Sequence, residues 1–291
     1  MKLLVIYNPK SGSADLKAIK KAFTAHTTDV EYVPLSPGLA NKITTSRAGA
    51  IIAAGGDGTV NVVAQHIIGT TKQLGIIPAG TLNHFAGELG IPADVEAAVK
   101  VIADSQTRQI DVGLVNERVF VNNSSIGVYP RSLRIREGYQ KSIGKWPAAL
   151  LGLARSIMRP KHYYVEMRVD GQTHTFRTPF VFIGNNEYLR EGLELGERRT
   201  LDSGKLAVYI VKAGAPFAII RSLLSAFLTK QRQTRDFAIY LTDSCTIYTR
   251  HNRDLRVACD GETFLMSTPL RYESRHNLLR VIVPTKKRRN P

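Results

Sequence analysis

The residues best suited to chemistry form one short run, Gly55-Gly56-Asp57-Gly58-Thr59-Val60-Asn61. Glycines remove side chains, so backbone N–H groups can approach phosphate oxygens, and a helix starting here adds the positive end of its dipole. Asp57 stands inside the loop, where its charge would repel a bare phosphate. A Mg2+ ion between carboxylate and phosphates removes that repulsion. The loop therefore predicts a site for a metal–nucleotide complex rather than for a dinucleotide alone. It is not a Walker A loop, because no Gly-Lys-Ser/Thr follows. Two more stretches of small polar residues, Asn8-Pro9-Lys10-Ser11-Gly12 and Pro78-Ala79-Gly80-Thr81-Leu82-Asn83, also follow apolar runs. Either alone is ordinary turn chemistry; three such loops are expected to meet at one edge of a sheet. Far downstream lies Asp260-Gly261-Glu262. At a strand end, two acids at i and i+2 would point to one side, with Gly261 letting the backbone pass close to a ligand. Turn chemistry alone reads the same three residues as a solvated Asp-Gly turn.

The elements that must position these loops are legible in the pattern. Residues 3–7 read as a strand and 15–25 as a helix, with a second short strand at 30–33. The run AGAIIAA at 48–54 is apolar throughout, as a strand buried on both faces should be. From Thr59, the residues Val60, Val63, Ala64, Ile67 and Ile68 fall on one face of a helix. Residues 74–77 read as another buried strand. Asp94 caps a helix to about residue 104, with Val95, Ala98, Val99 and Ile102 on one side. Strands alternating with helices predict βαβ units and a mostly parallel sheet. After about residue 114 the rhythm changes to short strands, at 163–169, 172–178, 180–183, 206–211, 237–241, 246–249, 255–259 and 278–283. Asp170-Gly171 marks a hairpin turn between the first two. Helical stretches near 142–158 and 216–229 interrupt them. The expected fold is α/β plus β-rich. An N-terminal, mostly parallel α/β nucleotide domain spans 1–113, and a largely antiparallel β domain spans 114–291, with its last strand free to return to the first domain.

With 291 residues, 43% hydrophobic and 22% charged, the chain is long enough for two folded domains and unlike a disordered one. Two cysteines, Cys245 and Cys259, cannot form a disulfide framework. No run of 18 apolar residues exists, and residues 3–7 are too short for a signal core, so a cytoplasmic protein is expected. The seven histidines are scattered without metal-ligand spacing. The net charge of +16 is unevenly placed: residues 1–113 carry 10 Lys and Arg against 9 Asp and Glu, whereas 114–291 carry 30 against 15. Residues 131–161 hold eight basic side chains and one acid, Glu137. Residues 221–235 and 275–291 hold four and six with no acid, the last run ending in Lys286, Lys287, Arg288 and Arg289. Such asymmetry suggests an anionic partner: nucleic acid, a phosphorylated ligand or an acidic lipid surface.

In their order and spacing, NPKSG, GGDGTVN, PAGTLNHFA and Asp260-Gly261-Glu262 resemble the diacylglycerol kinase catalytic domain family, which includes soluble bacterial lipid kinases and the sphingosine and ceramide kinases. GGDGT alone is shared with NAD kinases. The resemblance implies an ATP-dependent lipid kinase that transfers the γ-phosphoryl group to a lipid hydroxyl, diacylglycerol or a related lipid, with Mg2+ as cofactor. It implies an N-terminal domain that holds ATP and a C-terminal domain that helps form the lipid cleft. Carried over by motif, Asn8, Ser11 and Gly12 would line the nucleotide. Gly55, Gly56, Asp57, Gly58, Thr59 and Asn61 would cradle its phosphates, with Asp57 facing Mg2+. Gly80, Thr81 and Asn83 would complete the site. Glu262 would be the general base, supported by Asp260. Two departures stand out. The family commonly has Asp where this chain has His84. Where many bacterial members carry Asp-Asp-Gly near a structural Mg2+, this chain has Leu201-Asp202-Ser203-Gly204, leaving Asp202 as a metal candidate with one acid missing.

An anionic membrane surface is the expected partner, reached by peripheral association. The segment WPAALLGLARSIMR, residues 146–159, mixes apolar residues, an interfacial Trp and cations suited to a headgroup zone, and equally suited to packing over a cleft. Monomer and homodimer are both open. The rival readings are an NAD kinase-like enzyme, opposed by NPKSG and Asp-Gly-Glu, and a nucleic-acid-binding protein, prompted by a pI of about 10.0. The chain has no RNP motif, zinc finger or helix-turn-helix signature, so no specific nucleic acid is expected.

Overall fold

A computed structural model describes residues 2–9, 16–26, 29–80, 83–189, 197–212, 237–250 and 253–285. The chain divides into two compact units, one of residues 1–110 and 277–291, the other of residues 111–276.

The first unit alternates strand and helix. Strand β1 (Leu3–Tyr7) leads to α1 (Leu16–Thr24), β2 (Val30–Pro34), α2 (Leu39–Thr45) and β3 (Ala50–Gly55). Helix α3 (Asp57–Ile67), β4 (Gln73–Pro78), the short α4 (His84–Glu88) and α5 (Val95–Asp104) follow. The strands lie in the order β2-β1-β3-β4 and pair in parallel, for example Val5 with Ile52 and Ile52 with Gly75. Every residue of β3 is buried, which explains its apolar composition. One core joins Val5, Ile52, Ala54 and Ile77 to Ile19 and Phe23 of α1 and Val99 and Ile102 of α5. The Asp94 carboxylate accepts a hydrogen bond from the Ala97 amide at 2.8 Å, capping α5. Helix α3 begins at Asp57, three residues before Val60, its first apolar face residue, so the glycine-rich loop runs directly into a helical turn.

In the second unit, β5 (Thr107–Val115), β6 (Arg118–Phe120) and β7 (Asn123–Gly127) precede two helices, α6 (Val128–Ile143) and α7 (Lys145–Met158). The single helix expected near 142–158 is thus the second arm of a helical hairpin. Its sequence break is Gly144, which ends α6 at φ 85°. Strands β8 (Tyr163–Val169), β9 (Gln172–Thr178), β10 (Phe180–Asn185), β11 (Leu206–Val211), β12 (Phe237–Thr242), β13 (Ser244–Thr249), β14 (Asp254–Cys259), β15 (Glu262–Ser267) and β16 (Leu270–Ile282) follow. The helix expected at 216–229 lies outside the described residues. A six-stranded antiparallel sheet runs β12-β11-β10-β7-β14-β15, and β16, β13, β8 and β9 pair antiparallel in a second sheet. The core holds side chains from both, including Ile126, Ile183, Val208 and Val257 from one and Val165, Ile247, Leu270 and Tyr272 from the other. That is a β-sandwich. Cys245 and Cys259 are free within it, and burial pushes both thiols up to about 12. Strand β16 serves both units: Tyr272 pairs with Cys245 in the second, and Val281 pairs in parallel with Leu74 in the first.

Replacing Asp94 by Ala removes the acceptor at the start of α5 and should cost about 1 kcal/mol of stability, read as a lowered urea midpoint at unchanged slope.

Candidate active site

The carboxyl ends of β1, β3 and β4 are neighbours, and the three loops expected to converge leave from them. The Asn8 amide donates to the Ala54 carbonyl at 3.1 Å and the Ala79 amide to the Gly55 carbonyl at 3.0 Å, so the loop starts are stitched together. Ser11, Gly12 and Thr81 lie outside the described residues.

The tightest approach is between Gly56 and Gly80. A Cβ built on Gly80 would stand 2.4 Å from the Gly56 Cα, and one on Gly56 would stand 3.1 Å from the Gly80 Cα. Neither residue can carry a side chain without separating the loops. Asn83, with φ at 50°, closes its own loop: its Oδ1 accepts from the Gly80 amide at 2.8 Å and its Nδ2 donates to the Gly80 carbonyl at 2.9 Å. Asp57 joins the two loops from the other side. Its two carboxylate oxygens accept from the amides of His84, at 3.3 Å, and Phe85, at 3.1 Å. Helix α4 has no side-chain cap of its own, so Asp57 supplies it from 27 residues upstream.

Gly58 is exposed, with open space where a Cβ would project. The amides of Asp57 and Gly58 precede any carbonyl that α3 can offer them, and they lie at the positive end of the helix. The edge is therefore lined by main chain, as a phosphate cradle requires. The side chains of Thr59 and Asn61 are turned away from this edge. Each is 3% exposed, because a helix starting at Asp57 has already turned these residues inward. The Thr59 hydroxyl covers Gly55, where a Cβ would be 2.3 Å away. The Asn61 Oδ1 is buried without a hydrogen-bond partner among the described residues.

In the second unit, Asp260 and Gly261 form the two-residue turn of the β14–β15 hairpin, with φ of 46° and 86°. Both values are positive, as a type I′ turn demands. The two acids therefore do not share a strand face as i and i+2 residues. The Asp260 carboxylate turns inward and accepts from the amides of Val121 at 2.7 Å, Asn122 at 2.9 Å and Asn123 at 2.9 Å. Glu262, the first residue of β15, is exposed. Burial pushes the Asp260 carboxyl up to about 6, against the three amide donors and the Arg198 guanidinium, which pull it down.

Arg198 is a partner that motif reading missed. It is 7% exposed, and its Nη1 donates to the carbonyls of Val121 at 2.6 Å and Asn185 at 3.2 Å. Asn185 donates to the carbonyls of Asp111 and Val121 at 2.9 and 3.0 Å. Asp111 is fully buried, accepting from the Gly204 amide at 2.6 Å and meeting His276 Nδ1 at 2.8 Å. The available signal was an acid inside an apolar strand, Ile110-Asp111-Val112. Asp202 is half-buried and accepts from the Thr200 hydroxyl. Among the described residues no three His, Cys, Asp or Glu side chains gather as a metal cage.

Comparison with known proteins finds relatives of both parts of the chain. Residues 2–115 match the model for the diacylglycerol kinase catalytic domain, and residues 144–283 match the YegS C-terminal NAD kinase beta sandwich-like domain. The chain carries a diacylglycerol kinase catalytic domain. A diacylglycerol kinase of Staphylococcus epidermidis is 29% identical over 185 residues, 60% of this chain and 58% of that one. Its Staphylococcus aureus counterpart is 26% identical over 274 residues, 89% and 85% of the two chains. Against the former, the chain spans less than two thirds of its relative's length. A solved structure from Bacillus anthracis, described as a candidate diacylglycerol kinase, superposes with a TM-score of 0.75 at 26% identity over 98% of both chains. The likeness shows the fold, a mixed α/β domain with a parallel sheet followed by an antiparallel β domain.

Gly80→Ala should force the two loops apart and lower phosphoryl transfer by roughly tenfold or more, as displaced positioning groups do, with circular dichroism near that of the parent. Asp260 supplies a pH test. The folded group keeps its proton to about pH 6 while its ordinary value is 3.8, so the folded state binds more protons between those limits. Stability should therefore fall as pH rises from 4 to 6, by up to about 3 kcal/mol. Asp260→Asn should abolish that slope while lowering stability at pH 4, both measured by urea unfolding.

Proposed function

We propose that this kinase transfers the γ-phosphoryl group of ATP to the hydroxyl of a membrane lipid, diacylglycerol or a close relative, acting in the cytoplasm. The observation that carries the reading is the main-chain edge at Gly56, Gly58 and Gly80, braced by Asp57, in a chain of a lipid-kinase family. Backbone donors and a helix N-terminus suit the triphosphate. Asp57 would hold Mg2+ through lone pairs that its two amide bonds leave over; bound there, the ion would neutralise phosphate charge.

The remaining work falls to a base. The lipid oxygen attacks the γ-phosphorus as the bond from that phosphorus to the bridging oxygen of ADP breaks, and the hydroxyl proton must leave. Glu262 is exposed and sits beside a turn that Asp260 locks, which suits a carboxylate accepting that proton. Asp260 is spent on three amides and acts by positioning. Phosphoryl transfer asks a protein mainly for such placement and for charge neutralisation.

The test is transfer of labelled γ-phosphate, with total lipid extract and NAD offered as separate acceptors and the product identified by mass. Labelled lipid is expected with the parent chain. Glu262→Gln should lower kcat by roughly 10² or more while ATP still binds, and Asp57→Ala should lose activity to a similar extent with weakened Mg–ATP binding. Labelled NAD without labelled lipid, or near-parent turnover in Glu262→Gln, would reject the assignment.

A further inference from the structure

The α6–α7 hairpin is built inside out for a helix pair in water. The α7 residues turned inward are small: Ala148, Gly152 and Ser156 are buried at i, i+4 and i+8. A Cβ on Gly152 would lie 2.5 Å from the Ser132 carbonyl of α6, so the helices touch backbone to backbone there. The large apolar residues point the other way. Trp146 is 64% exposed, Leu150 70% and Met158 71%, with Leu153 between them and Tyr139 and Ile143 exposed on α6. Trp146, Leu150 and Leu153 fall at i, i+4 and i+7, a continuous stripe.

Beside this hairpin lies a basic cavity of about 260 Å3, lined by Arg131, Arg134, Lys161, Tyr163, Arg256 and one carboxylate, Asp254. Arg131 and Arg134 are one helical turn apart on α6, and Asp254 and Arg256 share a face of β14. Asp254 accepts from the Ser267 hydroxyl at 2.6 Å, and the Lys161 ammonium stands 5.5 Å from the Tyr163 ring centre. Four cations against one acid make an anion site. The volume is below the roughly 300–1,000 Å3 of pockets for drug-sized ligands, so it suits a headgroup rather than a whole lipid. Arg131 Nη1 donates to the Arg159 carbonyl at 2.5 Å, fixing the end of α7 beside the cavity.

We propose that the α6–α7 hairpin docks on an anionic bilayer, with the apolar stripe in the interface and the phosphate of an acidic lipid seated among Arg131, Arg134, Lys161 and Arg256, apart from the lipid being phosphorylated. Charge selects this occupant. Residues 131–161 carry eight cations and one acid, which a second copy of the same surface would repel and an acidic leaflet attracts. An apolar stripe flanked by cations is the pattern of interfacial helices. Helix α6 also packs on β14 and β15, the hairpin whose turn holds Asp260 and precedes Glu262. The inference rests on the lipid-kinase reading for its purpose, but the binding it asserts needs no catalysis.

The experiment is sedimentation of the full chain, without ATP, with vesicles of phosphatidylcholine alone or mixed with phosphatidylglycerol. Binding should need the acidic lipid, should weaken about a hundredfold in the double variant Arg134→Glu, Arg256→Glu, and should weaken about tenfold or more in Leu150→Ser. Equal binding to neutral vesicles, an unmoved double variant, or release by inorganic phosphate at matched concentration would overturn it. So would a dimer in solution that Leu150→Ser dissolves. Phosphoryl transfer to a short-chain lipid in detergent should stay at the parent rate in both variants. Its absence in the parent chain, with vesicle binding intact, would sink the kinase reading and uphold the docking.

Discussion

Gly56 and Gly80 approach until there is no room between them for a methyl group, and the main-chain edge of the first unit depends on that approach. It places two turns from different strands in one surface made of main chain. It also brings the Asp57 carboxylate within reach of the His84 and Phe85 amides. The acid that stands in the loop as a charge thus does a second task, fastening the start of α4 to the start of α3. A carboxylate accepting two amides has lone pairs left for a cation, so bracing and metal binding are compatible on one side chain. His84, where the family commonly has an acid, contributes here through its backbone amide, a group that substitution leaves in place.

The second unit solves a different problem. A hairpin tip that is to present the proposed base must be exposed enough to meet substrate and rigid enough to hold a position. Asp260 provides the rigidity by leaving solvent for three amides of the 121–123 segment, which Arg198 and Asn185 grip from the carbonyl side. The segment's polar groups are used on both faces, as buried backbone must be.

Local pattern carried most of the fold. The buried run at 48–54, the Asp94 cap and the Asp170-Gly171 turn each have a short-range cause, and each stands where that cause put it. The loops of the first unit were legible for the same reason: glycine and small polar residues after buried strands leave few alternatives. What escaped depends on distant partners. Helix α4 is five residues long, with its cap supplied by Asp57 far upstream, so no window of sequence around it reveals the helix. The inward turn of Thr59 and Asn61 follows from α3 starting at Asp57, a boundary that apolar spacing places too late. The grip of Arg198 and Asn185 on residues 121–123 spans more than 60 positions. Asp260 and Glu262 differ in exposure because the turn has two left-handed residues, and Asp-Gly suggests that turn only when the strand after it is recognised.

Strand β16 has a consequence for how the polypeptide is made. Val281 pairs with Leu74, the Leu278 carbonyl accepts from the Gly69 amide, and the Val283 amide donates to the Gln106 carbonyl. The sheet begun by the first eighty residues therefore waits for a strand translated some two hundred codons later. While the ribosome works through the β-sandwich, the nascent first unit keeps an open edge at β4, and a truncated transcript would release it in that state.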